Sequence, residues 1–295
     1  VPSDIFADAY AYQLVIFLGI PFSILYNYLS SILRAVGDSR TPFLFLAFSA
    51  ILNIFLDLFC IIILHLGCAG AAIATISAQA ISGLLCLFFI SRKVKLLLPT
   101  KENRTLRKDA AQELLAMGIP TGLQFSITAI GSMVMQSANN GLGSVYVSAF
   151  TAAMKIKQFM MCPFDALGST MATYGGQNVG AGKYDRLASG MKSAIILAAV
   201  YSAAILVVII FLARPLIYLF IDPSDSANIS QVVAQARQFL ITNTCFYMLL
   251  SLVNIVRFLI QGMGFSGFAV FAGVFEMIAR ALIGLIFVPI FGFTA

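Results

Sequence analysis

Lys155 and Lys157 lie midway along an apolar stretch, with Pro163 and then Asp165 following in the same run. A charge in such surroundings is expensive, about 2.5–3.5 kcal/mol on membrane-insertion scales, so each needs a counter-charge, water or a ligand. Lys157 and Asp165 are two helical turns apart, about 12 Å along a helix axis. Direct pairing would need a bend at Pro163; otherwise the three groups take partners from other helices or line a polar cavity that binds substrate. Glu276 and Arg280 are spaced i, i+4, so one helix face can pair them, either as a neutralised structural pair or as a switch that answers to a proton or cation. Asn53 and Asp57 share that spacing, which suits a hydrogen bond between packed helices. Gln124, Asn27 and Asn254 are further polar side chains in apolar runs and complete the candidates for a substrate or cation pathway. Met133, Met135, Met154, Met160, Met161 and Met171 crowd the same region. Their flexible thioethers either fill ordinary core or let a cavity repack around varied apolar molecules.

Other chemistries find no support in these residues. His65 is the single histidine, which rules out a multi-His metal site, and the five cysteines show no CxxC spacing. They read as small buried hydrophobes. No HExxH, aspartate-rich Mg²⁺ motif or Ser/His arrangement is present, so no catalytic residue is assigned and an enzyme is not expected. Gly176-Gln177-Asn178-Val179-Gly180-Ala181-Gly182 has the glycine density of a phosphate loop but lacks the Lys-Ser/Thr that follows one. It reads as a short elbow between two helices. No cofactor is expected.

The elements that carry these residues follow from composition. Sixty per cent of the 295 residues are apolar and 10% charged, against about a quarter charged in a soluble domain. Most side chains must therefore meet lipid or other helices. Eight apolar stretches reach the roughly 20 residues that span a bilayer, and they predict helices near 10–33, 42–64, 70–91, 113–137, 145–173, 191–213, 231–261 and 267–290. Gly37-Asp38-Ser39-Arg40-Thr41-Pro42 separates the first two through a permissive glycine and a proline helix start. The +6 net charge is explained by topology rather than by nucleic acid. Loops on one side carry Arg34, Arg40, Arg92, Lys93, Lys95, Lys101, Arg104, Arg107, Lys108, Lys183, Arg186 and Lys192, whereas the opposite loops carry one basic residue, Arg214. The basic side is cytoplasmic, and with it the 92–112 loop, in a multi-pass plasma-membrane protein. Reporter fusions at Lys101 and Asn140 are expected to report opposite sides; the same side for both would overturn this topology.

Sliding the chain by 227 residues lays the first two spans on the last two. Leu25, Asn27, Gly37, Ser39, Phe48, Ile51 and Leu58 fall on Leu252, Asn254, Gly264, Ser266, Phe275, Ile278 and Leu285. This predicts a parallel repeat about an axis along the membrane normal, with Asn27 and Asn254 at equivalent depth, either facing a cleft or joining helices. It also predicts a fragment, short of about three helices at the start and one at the end. Residues 1–91 would then be the C-terminal part of a first lobe, 92–112 a cytoplasmic linker, and 113–295 five of the six helices of a second lobe.

Leu33-Arg34-Ala35-Val36-Gly37-Asp38-Ser39-Arg40-Thr41-Pro42, Leu52-Asn53-Ile54-Phe55-Leu56-Asp57 and Gly70-Ala71-Ala72-Ile73-Ala74-Thr75 resemble helices four to six of the multidrug and toxin extrusion (MATE) family. Gly118-Ile119-Pro120, the Gly176–Gly182 run and Glu276 with Arg280 resemble its helices seven to eleven, in order and over essentially the whole chain. The resemblance implies an all-α, two-lobed, V-shaped transporter that expels cationic amphipathic organic molecules in exchange for Na⁺ or H⁺; a monomer is the expected working unit. It also implies a coupling aspartate on the family's first helix, which would precede Val1. In helices seven and ten, where some members carry acids, this sequence has none between Glu113 and Asp165 or between Asp225 and Glu276. A related flippase for a lipid-linked saccharide is the alternative, and it would need a strongly cationic cavity.

Overall fold

In a computed structural model, residues 6–94, 97–98, 107–221 and 228–291 are described, and those in regular structure are helical. The chain divides between Leu106 and Arg107 into two compact units. Among the described residues six helices are long and apolar enough to cross a membrane, and one bent pair of helices passes the same test when taken together.

The first unit holds α1 (Phe6–Ala35), α2 (Arg40–Leu58, continuing as a π-helical turn over Phe59–Ile63) and α3 (Gly67–Lys93). α3 packs along both others. The contacts are those of helices without a hydrophobic drive to associate, namely small residues and hydroxyl bonds. A Cβ on Gly19 would lie 2.2 Å from the Ile76 side chain, so α1 and α3 touch there. Ser49 and Ser82 donate to the Ala78 and Phe45 carbonyls at 2.9 and 3.0 Å, Tyr26 donates to the Pro42 carbonyl at 3.0 Å, and Ser23 bonds Gln79.

The second unit holds α4 (Lys108–Asn140), α5 (Ser144–Gly180), α6 (Asp185–Tyr218), α7 (Ile229–Cys245), α8 (Tyr247–Gly262), α9 (Ser266–Leu282, continuing as a π-helical turn to Phe287) and the short α10 (Val288–Phe291). α4 lies along α9, while α5 lies along α8 with α6 and α7 beside it. α5 and α8 approach through small residues. A Cβ on Gly176 would sit 3.0 Å from the Gly262 carbonyl oxygen, and one on Gly262 would sit 2.0 Å from that of Ala172. Phe164 holds the centre, edge-on to Tyr201 and Tyr247 at 5.0 and 5.8 Å.

Helices occupy all eight expected places, with four differences. The seventh span is two helices, α7 and α8, bent by 52° at Phe246. α5 is long enough to span but falls outside the set that is sufficiently apolar, because Lys155, Lys157 and Asp165 interrupt it; its other faces are covered by α6, α7 and α8. Gly176, Gln177, Asn178 and Gly180 are not an elbow. They form the last turns of α5, and the chain turns only at Gly182, whose φ is +68°. The linker is shorter than 92–112, since α3 runs to Lys93 and α4 starts at Lys108; its residues 95–96 and 99–106 lie outside the described set.

The turns that end α1 and α8 share one geometry. Gly37 and Gly264 have φ of +92° and +98°. The Asp38 N–H donates to the Leu33 carbonyl at 2.9 Å and the Phe265 N–H to the Ile260 carbonyl at 3.1 Å. These are 6→1 bonds of Schellman turns, and the two turns are 227 residues apart. After the first, the Thr41 N–H donates to Asp38 Oδ1 at 3.0 Å. Hydrogen bonds from Thr41 hold the Asp38 carboxyl below the usual carboxylate range, so this cap for α2 is ionised at neutral pH. Arg40 is exposed in the first turn of α2, and Pro42 is buried one turn in, with its carbonyl accepting from Tyr26.

Candidate functional site

Three charged residues of the second unit, Arg257, Glu276 and Arg280, converge where α4, α8 and α9 meet. Two glycines set the spacing: a Cβ on Gly131 would meet Arg280 Cδ at 3.2 Å, and one on Gly273 would meet Gln124 Cγ at 2.9 Å. α9 is therefore close enough for Arg280 to reach α4, where its Nη1 donates to Ser132 and, at 3.3 Å, to the Thr128 carbonyl. Its Nη2 bonds Glu276 one turn back. The expected i, i+4 pair is thus present, but it is part of something larger. Arg257 of α8 brings Nη1 to 3.7 Å from Glu276 Oε2 and bonds Asn254 through Nη2. One carboxylate sits between two guanidiniums. Arg257 also lies within electrostatic range of Asp165.

Gln124, 1% exposed, accepts at Oε1 from Gln261 Nε2 at 2.6 Å. This bond joins α4 to α8 just beyond the charged cluster. A buried amide pair satisfies both side chains where lipid offers nothing.

Beside the cluster is a cavity of about 430 Å³, within the range of small-ligand sites. It opens against the α7–α8 bend. Phe150, Phe239 and Phe246 are its aromatic lining and Lys157 and Arg280 its charged lining, with the neutral polar Asn139, Gln238, Thr242 and Asn243 and with Met135 also lining it. Lys155, two residues from Lys157, points elsewhere: its Nζ lies 5.9 Å from the Phe220 ring centre, at a separate shallow pocket. Asp165 is exposed on α5, and α5 runs unbroken through Pro163, so no bend brings it to Lys157.

The remaining candidates part company. Asn254 is buried in the cluster, but Asn27 is exposed and donates to its own helix at the Ser23 carbonyl, 2.9 Å away. The two are equivalent in sequence and unlike in setting. Asn53 and Asp57 do not bond: Asn53 Nδ2 and Asp57 Oδ1 are buried without a partner. Met160 and Met171 are core, and Met133 is 71% exposed. Sequence reasoning missed Arg257, although a charge inside a span was the available signal, and Asn139, which reads as turn punctuation. Among the described residues no three His, Cys, Asp or Glu side chains are grouped to hold a metal.

A polytopic helical bundle that buries ionised side chains beside a ligand-sized cavity is a membrane transporter fold. The MatE family model matches residues 2–59 and 120–286, and the chain belongs to that family. It is 35% identical over 186 residues to the probable multidrug resistance protein YpnP of Bacillus subtilis, which covers 63% of this chain and 41% of that protein. It is 27% identical over 253 residues to the multidrug export protein MepA of Staphylococcus haemolyticus, covering 85% and 53%. The Vibrio cholerae MATE transporter VcmN, solved as a point mutant, has the same fold: TM-score 0.89, 19% identity, 99% of this chain and 65% of that one. The chain spans about half the length of the curated relatives it matches. It is a multi-pass membrane protein of an efflux-transporter family.

Proposed function

We propose that the protein exports small amphipathic organic molecules by secondary-active antiport with Na⁺ or H⁺. The observation that carries this reading is the cavity in the second unit, lined by both aromatic and charged side chains, inside a bundle of membrane-spanning helices. The multidrug relatives support export as its direction. Residues 1–91 then serve as the C-terminal part of a first lobe and 113–295 as five helices of a second. The protein sits in the plasma membrane, the 92–112 linker is cytoplasmic and the working unit is a monomer. The family resemblance implies cationic amphipaths as cargo, whereas the charged lining of this cavity is Lys157 and Arg280.

Coupling needs a group that gains and loses a cation during the cycle. Asp57 fits that need best in the first unit, because a buried carboxylate oxygen without a hydrogen-bond partner is costly unless a proton or metal ion visits it. In the complete protein, Asp57→Asn is expected to lower gradient-driven efflux at least tenfold while gradient-free exchange persists. Labelled amphipaths in inverted vesicles, with Na⁺ and H⁺ gradients imposed separately, measure both. Full gradient-driven efflux in Asp57→Asn would remove Asp57 from coupling. The flippase alternative draws on the cationic lining of the cavity. Lys155 lies outside that lining, and Glu276 already pairs Arg280, which leaves less charge than a lipid pyrophosphate requires.

A further inference from the structure

We infer that the cavity of the second unit binds the anionic group of an amphipathic organic acid, with Lys157 as its counter-charge. This deepens the transport reading above and rests on it for the cavity's being a cargo site. The charges that line the cavity are Lys157 and Arg280, and no carboxylate lines it. Arg280 is offset by its Glu276 partner, so an organic cation entering there would meet the uncompensated ammonium of Lys157 at a depth where water screens little.

The polar groups of the lining differ in how far they are already satisfied. Arg280 is engaged at both terminal nitrogens, with Nη2 on Glu276 and Nη1 on Ser132 and Thr128. Lys157 makes no hydrogen bond or ion pair among the described residues; its charged neighbours are Arg280, which repels it, and Glu276, which attracts it. Asn139 is 6% exposed, and its Nδ2 is buried without a partner. One ammonium, that of Lys157, therefore lines the cavity without a hydrogen-bond or ion-pair partner among the described residues, while the Asn139 amide nitrogen is enclosed behind the lining and Gln238, Thr242 and Asn243 add neutral polar groups to it. An isolated buried charge is tolerated only with a partner, and a ligand carboxylate would supply one to Lys157. Phe150, Phe239 and Phe246 line the same cavity and suit an aromatic or other apolar body carried by the acid. The ligand class is a monoanionic amphipath with one hydrogen-bond-accepting head group.

The test uses the complete purified protein and two probes with one aromatic body and opposite charge: labelled 2-naphthoate and labelled 2-naphthylmethyl-trimethylammonium. Equilibrium binding is measured in detergent without any ion gradient, so a defect in coupling or in export cannot affect it. 2-Naphthoate is expected to bind at least tenfold more tightly than the cation. Lys157→Gln should weaken naphthoate at least tenfold, in keeping with the loss of a charge-assisted bond, and leave the cation unchanged or tighter. Lys157→Arg should retain most naphthoate binding. Gel filtration and thermal melting confirm that each variant is folded. Preference for the cation, an absence of saturable naphthoate binding, or equal naphthoate binding by Lys157→Gln would each overturn the assignment, whereas naphthoate binding without efflux would overturn only the export reading.

Discussion

Glu276→Gln is expected to destabilise the protein more than any other single charge removal in the second unit. Its carboxylate lies between Arg280 and, at 3.7 Å, Arg257. The side chains of Arg257 and Arg280 are 14% and 32% exposed, and both sit in spans. Glutamine keeps the shape and removes the charge, leaving two guanidiniums within mutual repulsion. Breaking a buried pair from one side costs about 3–5 kcal/mol, because a charge is stranded. Partial exposure of both partners places the cost near the lower end, roughly 3 kcal/mol. Thermal melting of the purified protein should show an apparent Tm lower by several degrees. Adding Arg280→Gln to Glu276→Gln should recover part of the loss, since one stranded cation is then removed. If Glu276→Gln melts with the parent protein, the three charges are independently solvated and the cluster is no network.

The second large effect is steric. Gly262→Ala adds one methyl group to α8, and that carbon would lie 2.0 Å from the Ala172 carbonyl oxygen and 2.6 Å from Ala172 C and Cα. These are backbone atoms of α5, so no rotamer change relieves the overlap and the two helices must separate. Overpacking a close interface commonly costs about 1–3 kcal/mol, and a clash with backbone belongs at or above the top of that range. Gly267→Ala is the matched control: nothing lies within 4 Å of the added carbon, and alanine is the better helix former by about 1 kcal/mol. Expression followed by size-exclusion profiles should show Gly262→Ala aggregated or much reduced and Gly267→Ala at least as good as the parent. Indistinguishable profiles would mean that α5 and α8 do not approach this closely.

Much of this architecture is legible from composition and spacing, because lipid imposes a length and a polarity on every span. Among the described residues six helices, and one bent pair taken together, meet that test directly. What sequence does not reveal depends on which helix stands beside which. Glu276 and Arg280 announce themselves by spacing, but Arg257 joins them only because α8 lies beside α9. Between Asp225 and Glu276 the sequence has no acid, and the charge that matters there is a base, at 257. Gly176 and Gly180 resemble loop glycines in a linear reading, although the role of Gly176 is to admit Gly262 of a neighbouring helix. The bend at Phe246 has neither proline nor glycine at its apex, so no local signal marks it. Asn53 and Asp57 have the spacing for a mutual bond, yet each leaves a buried polar atom unpaired.

The composition of α5 bears on how the chain reaches its place. At the centre of a bilayer each of Lys155, Lys157 and Asp165 opposes insertion by about 2.5–3.5 kcal/mol, while a leucine or isoleucine favours it by only about 0.5. Ser144–Gly180 therefore has little tendency to leave the translocation channel for lipid by itself. α6, with the highest hydropathy of the spans, emerges directly after it and can anchor the chain. α7 and α8 then supply the surfaces that cover the buried face of α5. The order of synthesis thus places the most lipid-soluble helix immediately behind the least, and α5 enters the membrane as a passenger of the segments that follow it.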